Sequence, residues 1–409
     1  MRRSKEPDFA SPTFKAEPYE YWARMRGTEP VHKVRLGNGA EAWLVTRYED
    51  AVVVLGDPAF AKDALQARGV EAKHLPWLPG PLRALSRNML DLDEPDHRRL
   101  RNLVQKAFTP RVVDDLRPRI EQIAAELLDA IERRERGTAD LIADYAAPLP
   151  VTVIAEMLGV PPVDRPRFRS WSNHIVAADT STWHKLKAIR PAISFVIFLR
   201  RLIAQRRQAL GNDLLSLLIA AQEKGDRLNA DELLSMCFLL LIAGHETTMN
   251  LIGNGVLDLL RNPDQMELLR HDPSLIAPAV EEMLRFSSPL QFATERYTSA
   301  TLEIGNVTVP RGSLVYVVLS SANRDDSAFA AERFDIARGA NRHLAFGHGI
   351  HYCFGAPLAR LEGQIAIRAL LDRFRDIALT VEPDQLRWRR GLVLRGLTTL
   401  PVHLIPAAR

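Results

Sequence analysis

Cysteine is scarce in this sequence, with only Cys237 and Cys353 among 409 residues. Two thiols so far apart exclude a disulfide framework and a zinc or iron–sulfur site built on four thiolates. Unpaired thiols also indicate a reducing compartment. If sulfur binds a metal here, one cysteine must do so and a prosthetic group must supply the other ligands.

The sequence also lacks an excess of charge and any long hydrophobic run. Its 54 lysines and arginines against 50 aspartates and glutamates leave a net charge of +4, which gives no reason to expect nucleic acid as a partner. The most apolar runs, 192–199 and 236–243, are far shorter than the roughly 18 residues of a membrane-spanning helix. Residues 1–15 contain no apolar stretch typical of a signal peptide. We therefore expect a soluble, cytoplasmic protein without a membrane anchor.

No Gly/Ser-rich or Pro-rich linker divides the chain, so we expect one domain over 1–409. Asn38-Gly39 is a typical hairpin turn and predicts two short strands within 31–46, and strand-like runs return in 302–320. Elsewhere apolar residues recur every three to four positions, which predicts helices over 111–136, 149–158, 186–209, 213–222, 229–261, 275–286 and 356–374. The predicted fold class is mainly α with a minor β-sheet region.

The most informative segment is HLAFGHGIHYCFGAPLARLE, residues 343–362, in which three glycines surround Cys353. Gly347, Gly349 and Gly355 allow the backbone to lie close against a flat group. A helical pattern starts just after the loop, and the amides of a helix N-terminus lower the pKa of a nearby thiol. The segment therefore suits a thiolate that binds a metal from one axial side.

Two other interpretations of Cys353 are open at this point. A lone cysteine is most often a small buried hydrophobe. Alternatively, Cys353 is a nucleophile with His348 or His351 as its partner, although the partners of a catalytic cysteine usually come from distant positions.

The pattern Phe346-x-x-Gly349-x-x-x-Cys353-x-Gly355 resembles the haem-binding signature of the cytochromes P-450, the haem-thiolate monooxygenases. Its form FGHGIHYCFG is close to that of the soluble bacterial members. Three further motifs occur in the order of that family, namely DEPDHRRLRNLVQKAFTP at 93–110, LLLIAGHETTMN at 239–250 and EEMLR at 281–285.

Each of these motifs taken alone also has an ordinary explanation. Glu282 and Arg285 have the spacing of a common solvated helix pair. Gly244 would produce a local kink, with Thr247 bonded back to a backbone carbonyl. Together with the cysteine loop, the resemblance instead favours a buried ion pair that anchors the loop and a groove that admits dioxygen.

The resemblance implies a single large cytochrome P-450-type domain with haem b between a long central helix and the cysteine loop. It implies that Cys353 ligates the iron and that Glu246 and Thr247 are the catalytic pair that places protons. The other residues that it assigns to the cofactor are His97, Arg101, Arg296 and His351 at the propionates, Phe346, Gly349 and Gly355 in the loop, and Ala243 and Gly244 at the dioxygen groove. His245 is not expected to be an iron ligand, and Cys237 is expected to be a buried packing residue without a chemical role.

The implied activity is a monooxygenase reaction, in which one atom of dioxygen enters a hydrophobic small molecule by hydroxylation or epoxidation. Few residues follow Cys353, so we expect no fused reductase, and a separate ferredoxin and ferredoxin reductase would supply electrons. Two alternatives are a haem-binding sensor or carrier without turnover and a cysteine-dependent hydrolase.

Two sets of residues are expected to meet the partner and the substrate. A basic patch for an acidic ferredoxin would comprise Arg98, Arg99, Lys106, Arg111, Arg342 and Arg360, although a generic solvated surface explains each of them equally well. The substrate pocket would be lined by Trp77, Leu85, Met89, Leu240, Ala243, Leu290, Phe292 and Val393.

Overall fold

A computed structural model of the chain describes residues 6–68, 85, 88–134, 137–177, 182–222, 228–329 and 333–408. The chain forms two compact units. The first comprises Met1–Glu71, Ala124–Ala146 and Thr247–Arg409, and the second comprises Ala72–Ile123 and Ala147–Glu246. The single domain over 1–409 stays a prediction.

The described strands all belong to the first unit. They are β1 Val31–Arg35, β2 Glu41–Val45, β3 Phe60–Ala61, β4 Thr138–Asp140, β5 Arg296–Thr298, β6 Leu302–Ile304, β7 Val307–Val309, β8 Leu314–Val317, β9 Phe374–Leu379 and β10 Pro401–Pro406. A five-stranded sheet has the order β1-β2-β8-β5-β3, a three-stranded sheet has the order β4-β10-β9, and β6 pairs with β7. In the first sheet only β2 and β8 run parallel.

Helices make up most of the described chain, which confirms the predicted class. They are α1 Pro12–Ala16, α2 Tyr19–Thr28, α3 Tyr48–Gly56, α4 Ala64–Arg68, α5 Asp96–Ala107, α6 Pro110–Asp115, α7 Arg117–Glu132, α8 Pro148–Met157, α9 Arg165–Ala177, α10 Thr182–Gln208, α11 Leu214–Gln222, α12 Ala230–Arg261, α13 Pro263–His271, α14 Ile276–Phe286, α15 Leu319–Ala322 and α16 Ala356–Arg373. Short 3-10 turns occur at Met89–Asp91, Pro162–Asp164, Pro273–Leu275, Gly349–His351 and Pro383–Gln385, and one π turn at Ile142–Ala146.

The helix expected over 111–136 is two helices, and this expectation was wrong. Helix α6 ends at Asp115 and α7 begins at Arg117. Pro118 lacks the N–H that would bond to the carbonyl of Asp114, so the chain restarts its helix there with proline in the first turn. The apolar spacing continues across the break because both helices bury apolar side chains. Periodicity alone therefore does not reveal the break.

Each unit has its own packed core. In the first unit, the ring of Phe9 stacks on Trp22 with centroids 5.3 Å apart, and Phe292 closes the cluster edge-on at 5.9 Å from Trp22. In the second unit, Phe195 of α10 lies 5.4 Å from Phe168 of α9 and 6.0 Å from Phe238 of α12. These aromatic clusters bury large apolar areas and hold the helices of each unit in place.

The EEMLR motif forms a buried ion pair inside the first unit. Arg285 donates from Nε and Nη2 to the two carboxylate oxygens of Glu282, both at 2.7 Å, and neither side chain is exposed (0% for each). Glu282 accepts further hydrogen bonds from Arg338, Asn341 and the backbone N–H of Asp335. The interpretation as a solvated helix pair is therefore wrong, and the buried pair implied by the resemblance is present.

One helix of the described chain, Ala230–Arg261, is long and apolar enough to pass a test for a membrane span. Its most apolar window is 61% buried inside the protein, which is the behaviour of a core helix.

Removing Glu282 should destabilise the protein strongly, because it leaves Arg285 buried without its counter-charge. We expect Glu282→Ala to lower the free energy of unfolding by about 3–5 kcal/mol, as measured by urea denaturation. Glu303→Ala, at an exposed position of the hairpin β6–β7, is the matched control and should change the free energy of unfolding by less than about 0.5 kcal/mol. Equal effects of the two substitutions would contradict this prediction.

Candidate active site

The cysteine loop depends on glycine where it meets α3. Gly347 and Gly349 have φ values of +73° and +72°, a conformation that other residues rarely adopt. A Cβ on Gly349 would lie 2.8 Å from the carbonyl oxygen of Leu55 and 3.0 Å from Cα of Gly56. The loop therefore rests directly on the end of α3, and a side chain at Gly349 would lift it.

The backbone of the loop presents Cys353 at the surface of the first unit. The N–H of Cys353 donates to the carbonyl of Phe346 at 2.8 Å, which closes the loop around the turn Gly349–His351. Cys353 is an exposed residue, so its interpretation as a small buried hydrophobe is wrong. Helix α16 begins at Ala356, and the positive end of its dipole favours a thiolate at this position.

Cys237 has the opposite environment. It is fully buried in α12, and burial raises the pKa of its thiol to about 12. This burial favours the protonated thiol over the thiolate that binds metals. Of the two cysteines, only Cys353 combines exposure with a helix N-terminus.

The buried ion pair is connected to the cysteine loop through one asparagine. Arg285 donates from Nη1 to the backbone carbonyl of Asn323 at 3.0 Å. The side-chain oxygen of Asn323 accepts the backbone N–H of Leu344 at 2.6 Å. Leu344 in turn accepts the N–H of Gly347 at 2.8 Å. The pair on α14 therefore anchors the start of the loop, as the resemblance implies.

Helix α12 runs unbroken through the segment expected to bind dioxygen. Ala243 is exposed, and Glu246 is buried, with 7% of its surface exposed. A Cβ on Gly244 would lie 2.6 Å from Cδ1 of Ile154 on α8. Glycine at this position therefore serves close packing against α8, in addition to any role towards dioxygen.

His245 is bound to its own unit rather than directed at a ligand. It is buried, and its Nδ1 lies 2.8 Å from the carbonyl oxygen of Leu241, so this nitrogen carries the proton. Its Nε2 then accepts a hydrogen bond from Ser172 at 3.2 Å. This geometry supports the expectation that His245 is not an iron ligand.

The residues expected at the haem propionates are divided between the units. In the second unit, His97 and Arg101 lie one turn apart on α5, where burial and then the Arg101 charge lower the pKa of His97. In the first unit, Arg296 is buried on β5, with Nη1 donating to the carbonyl of Phe60 at 3.1 Å, and His351 is half-buried. These side chains are buried or partly buried donors of the kind that bind carboxylates.

The residues expected to line the substrate pocket differ in burial and position. Trp77 lies outside the described residues, Met89 is buried, and Leu85 and Leu240 are half-buried. Leu290 and Val393 lie on adjoining segments, since Leu290 bridges to Leu394 and Val393 accepts the N–H of Gln291 at 2.7 Å. Phe292 was wrongly assigned to the pocket: its ring is fully buried (0% exposed) in the core with Phe9, Trp22 and Tyr316.

Sequence reasoning missed Glu362, a buried carboxyl group on α16. It is 1% exposed, and burial raises its pKa to about 8, although a hydrogen bond with Thr248 opposes the shift. Its Oε1 has no hydrogen-bond partner among the described residues. The sequence shows only a glutamate within a predicted helix, and such a glutamate is usually solvated.

Known proteins resemble the chain over almost its whole length. A family profile for Cytochrome P450 matches residues 38–198, 164–276 and 274–399. Cytochrome P450 107B1 of Saccharopolyspora erythraea is 48% identical, covering 98% of this chain and 99% of its own. The 6-deoxyerythronolide B hydroxylase of the same organism is 42% identical, covering 97% and 98%. The structure of PksS, the cytochrome P450 of the bacillaene polyketide synthase of Bacillus subtilis, is 41% identical with a TM-score of 0.90, covering 98% and 100%.

The chain belongs to the cytochrome P450 family. It is an oxidoreductase of the monooxygenase class and has the P450 fold. This assignment confirms the resemblance and excludes the cysteine-dependent hydrolase. Membership of this family implies haem as the cofactor.

The described residues fit haem as a ligand. The donor set contains the thiol of an exposed residue, Cys353, and the guanidinium of a buried residue, Arg296. A Cβ on Gly355 would meet no atom within 4 Å, so the loop beside Cys353 has room for a flat group. A porphyrin needs a soft axial ligand, a smooth backbone face and cations for its carboxylates, and the chain offers all three chemical types.

The raised pKa of Glu362 predicts how this P450 responds to pH. The carboxyl group is neutral in the folded protein up to about pH 8, whereas an ordinary glutamate ionises near 4.5. Between these values the folded state binds the extra proton, so stability falls as pH rises, by up to about 1.4 kcal/mol per pH unit. We expect urea denaturation at several pH values to show this loss in the wild type and a flatter profile in Glu362→Gln. Parallel profiles in the two proteins would contradict the prediction.

Proposed function

We propose that this P450 binds haem b through Cys353 and inserts one atom of dioxygen into a hydrophobic small molecule. The observation that carries the proposal is the glycine loop around Cys353, an exposed residue. The hydrogen bond between Cys353 and Phe346 closes this loop, and the buried pair Glu282–Arg285 anchors it. The loop has the family's order of residues, and the other cysteine is buried and unsuited to the role.

Haem with a thiolate ligand supplies reductive activation of dioxygen and favours cleavage of its O–O bond. With two electrons and two protons, one oxygen atom is inserted into a substrate C–H or C=C bond and the other leaves as water. The side chains of Glu246 and Thr247 would deliver those two protons. A buried carboxylate next to a hydroxyl on an unbroken helix is suited to passing protons without admitting bulk water.

The chain's donors would also orient the cofactor. His97 and Arg101 on α5 and Arg296 on β5, together with His351 in the cysteine loop, would hold the two propionates. An anionic carboxylate beside His97 would oppose the lowering of its pKa by burial and by Arg101. The glycines of the loop would let the porphyrin lie against the backbone beside Phe346.

The proposed substrate is a hydrophobic small molecule of the polyketide type. The expected lining residues with partial or full exposure, Leu85, Leu240, Ala243, Leu290 and Val393, are all apolar. The names of two similar proteins, a 6-deoxyerythronolide B hydroxylase and the P450 of a polyketide synthase, support this substrate class. An apolar lining selects substrates by shape and area rather than by charge.

The proposed redox partner is a separate ferredoxin with its reductase, in the cytoplasm. Three of the six residues expected in the basic patch form ion pairs: Arg98 with Glu94, Arg99 with Glu232, and Arg360 with Glu281. Lys106, Arg111 and Arg342 are exposed. Exposed cations of this kind attract an acidic protein.

The ligand role of Cys353 can be tested by spectroscopy of the reduced, carbonyl-bound protein. We expect a strongly red-shifted Soret band in the wild type and its loss in Cys353→Ser, because the thiolate is then absent. Cys237→Ser is the matched control and should keep the band. A red-shifted band in Cys353→Ser would exclude this cysteine as the ligand.

The proton role of Thr247 predicts uncoupling. We expect Thr247→Ala to lower the yield of oxygenated product per reductant consumed by about tenfold or more, because removing a general acid–base contact costs 10²–10⁴-fold in rate. The yield is measured with any substrate that produces a spin-state shift. Thr301→Ala, on an exposed loop, is the control. An unchanged yield in Thr247→Ala would show that its hydroxyl plays no part in proton delivery.

A further inference from the structure

A second ion pair of the first unit lies beside the cysteine loop. Arg360 of α16 donates from Nε and Nη2 to the two carboxylate oxygens of Glu281 on α14, at 2.7 and 2.8 Å. The side chains are 31% and 25% exposed, so water screens the pair only in part. A bidentate contact of this kind fixes the plane of the guanidinium as well as its position.

The guanidinium of Arg360 contacts two residues of the cysteine loop that precede Cys353. Its Cζ lies 4.5 Å from the ring centroid of Phe346, and its Nη1 donates to the hydroxyl of Tyr352 at 3.2 Å. Phe346 accepts the N–H of Cys353, and Tyr352 precedes Cys353 in the chain. Arg360 is therefore a cation held against two loop residues, of which one accepts a hydrogen bond from the backbone of Cys353 and the other precedes it in the chain.

Glu281 holds a second group against the same ring. Nε2 of His343 lies 3.1 Å from a carboxylate oxygen of Glu281, while its Nδ1 accepts the N–H of Ala345 at 3.2 Å. The proton is therefore on Nε2, which donates to Glu281. The imidazole centroid is 5.9 Å from the centroid of Phe346. One carboxylate thus positions two of the groups that surround the Phe346 ring.

Both members of the ion pair are charged. Burial opposes ionisation of Glu281, but hydrogen bonds from Arg360 and His343 lower its pKa to about 2. The hydrogen bond to Glu281 raises the pKa of Arg360. The pair therefore has no net charge, and it places a dipole rather than a free cation beside the loop.

We propose that Glu281 is a positioning residue that, by neutralising Arg360 and holding it against Phe346, sets the reduction potential of the haem bound at Cys353. The inference rests on the proposed ligand role of Cys353. A positive charge near the haem stabilises the reduced state, which carries one more electron, and a negative charge favours the oxidised state. The balanced pair therefore keeps the potential lower than Arg360 alone would allow.

The proposal predicts that removing one or the other charge of the pair changes the reduction potential in opposite directions. Glu281→Gln leaves the cation of Arg360 without its counter-charge and raises the potential. Arg360→Gln leaves the carboxylate and lowers the potential. The double substitution removes both charges, so its potential lies close to that of the wild type. Glu281→Asp retains the charge and should retain the potential.

The test is a spectroelectrochemical titration of the holoenzyme. Glu303→Gln, at an exposed position of the hairpin β6–β7, is the control for loss of one carboxylate. We expect each single substitution to change the ferric–ferrous equilibrium constant by about threefold or more, in opposite directions. Glu281→Asp, Glu303→Gln and the double variant should stay within about twofold. Thermal unfolding and the carbonyl-bound spectrum are recorded for each variant.

Two results would overturn the inference. One is an equilibrium constant that does not change in either single variant while the red-shifted carbonyl band is retained. The other is a shift in the same direction in both variants, because a purely structural role gives no dependence on the sign of the charge. A wild-type protein without the red-shifted band would instead refute the ligand role of Cys353. The two failures are therefore distinguishable.

Discussion

The buried ion pair between Glu282 and Arg285 is the interaction on which the rest of the first unit depends. Neither side chain is exposed (0% for each), so each charge must be met by protein groups. Arg338 and Asn341 donate hydrogen bonds to Glu282, and the carbonyl of Asn323 accepts one from Arg285. The side chain of Asn323 also bonds to Leu344, at the start of the cysteine loop. The position of the thiol is thereby a consequence of charge burial elsewhere.

Helix α14 uses two adjacent glutamates for different purposes. Successive residues on a helix point about 100° apart, so Glu282 is directed into the core while Glu281 reaches Arg360 and His343 beside the loop. One helix therefore supports both the stability of the unit and the electrostatics around Phe346. Both glutamates pair with arginine, whose long side chain and five donors allow a bidentate contact in either position.

The sequence predicted the helical class and the cysteine loop, since each has a distinctive pattern of residue types. The buried EEMLR pair was expected only from the resemblance, because its spacing alone is also that of a solvated helix pair. Sequence reasoning placed Phe292 in the substrate pocket wrongly, because apolar side chains look alike in sequence whether they line a cavity or pack with Phe9 and Trp22. Glu281 and Glu362 were missed for a related reason. A carboxylate on a helix is usually solvated, and only tertiary partners or full burial reveal another role.

The close approach of Gly349 to Leu55 and Gly56 means that the cysteine loop is supported by a part of the chain almost three hundred residues earlier. The ten residues FGHGIHYCFG are therefore not a portable haem-binding element. Transplanted into another protein, they would keep every residue of the signature and lose the surface that supports the loop. The motif identifies which residue carries the thiol, whereas the position of the loop in the folded protein also depends on its contact with α3.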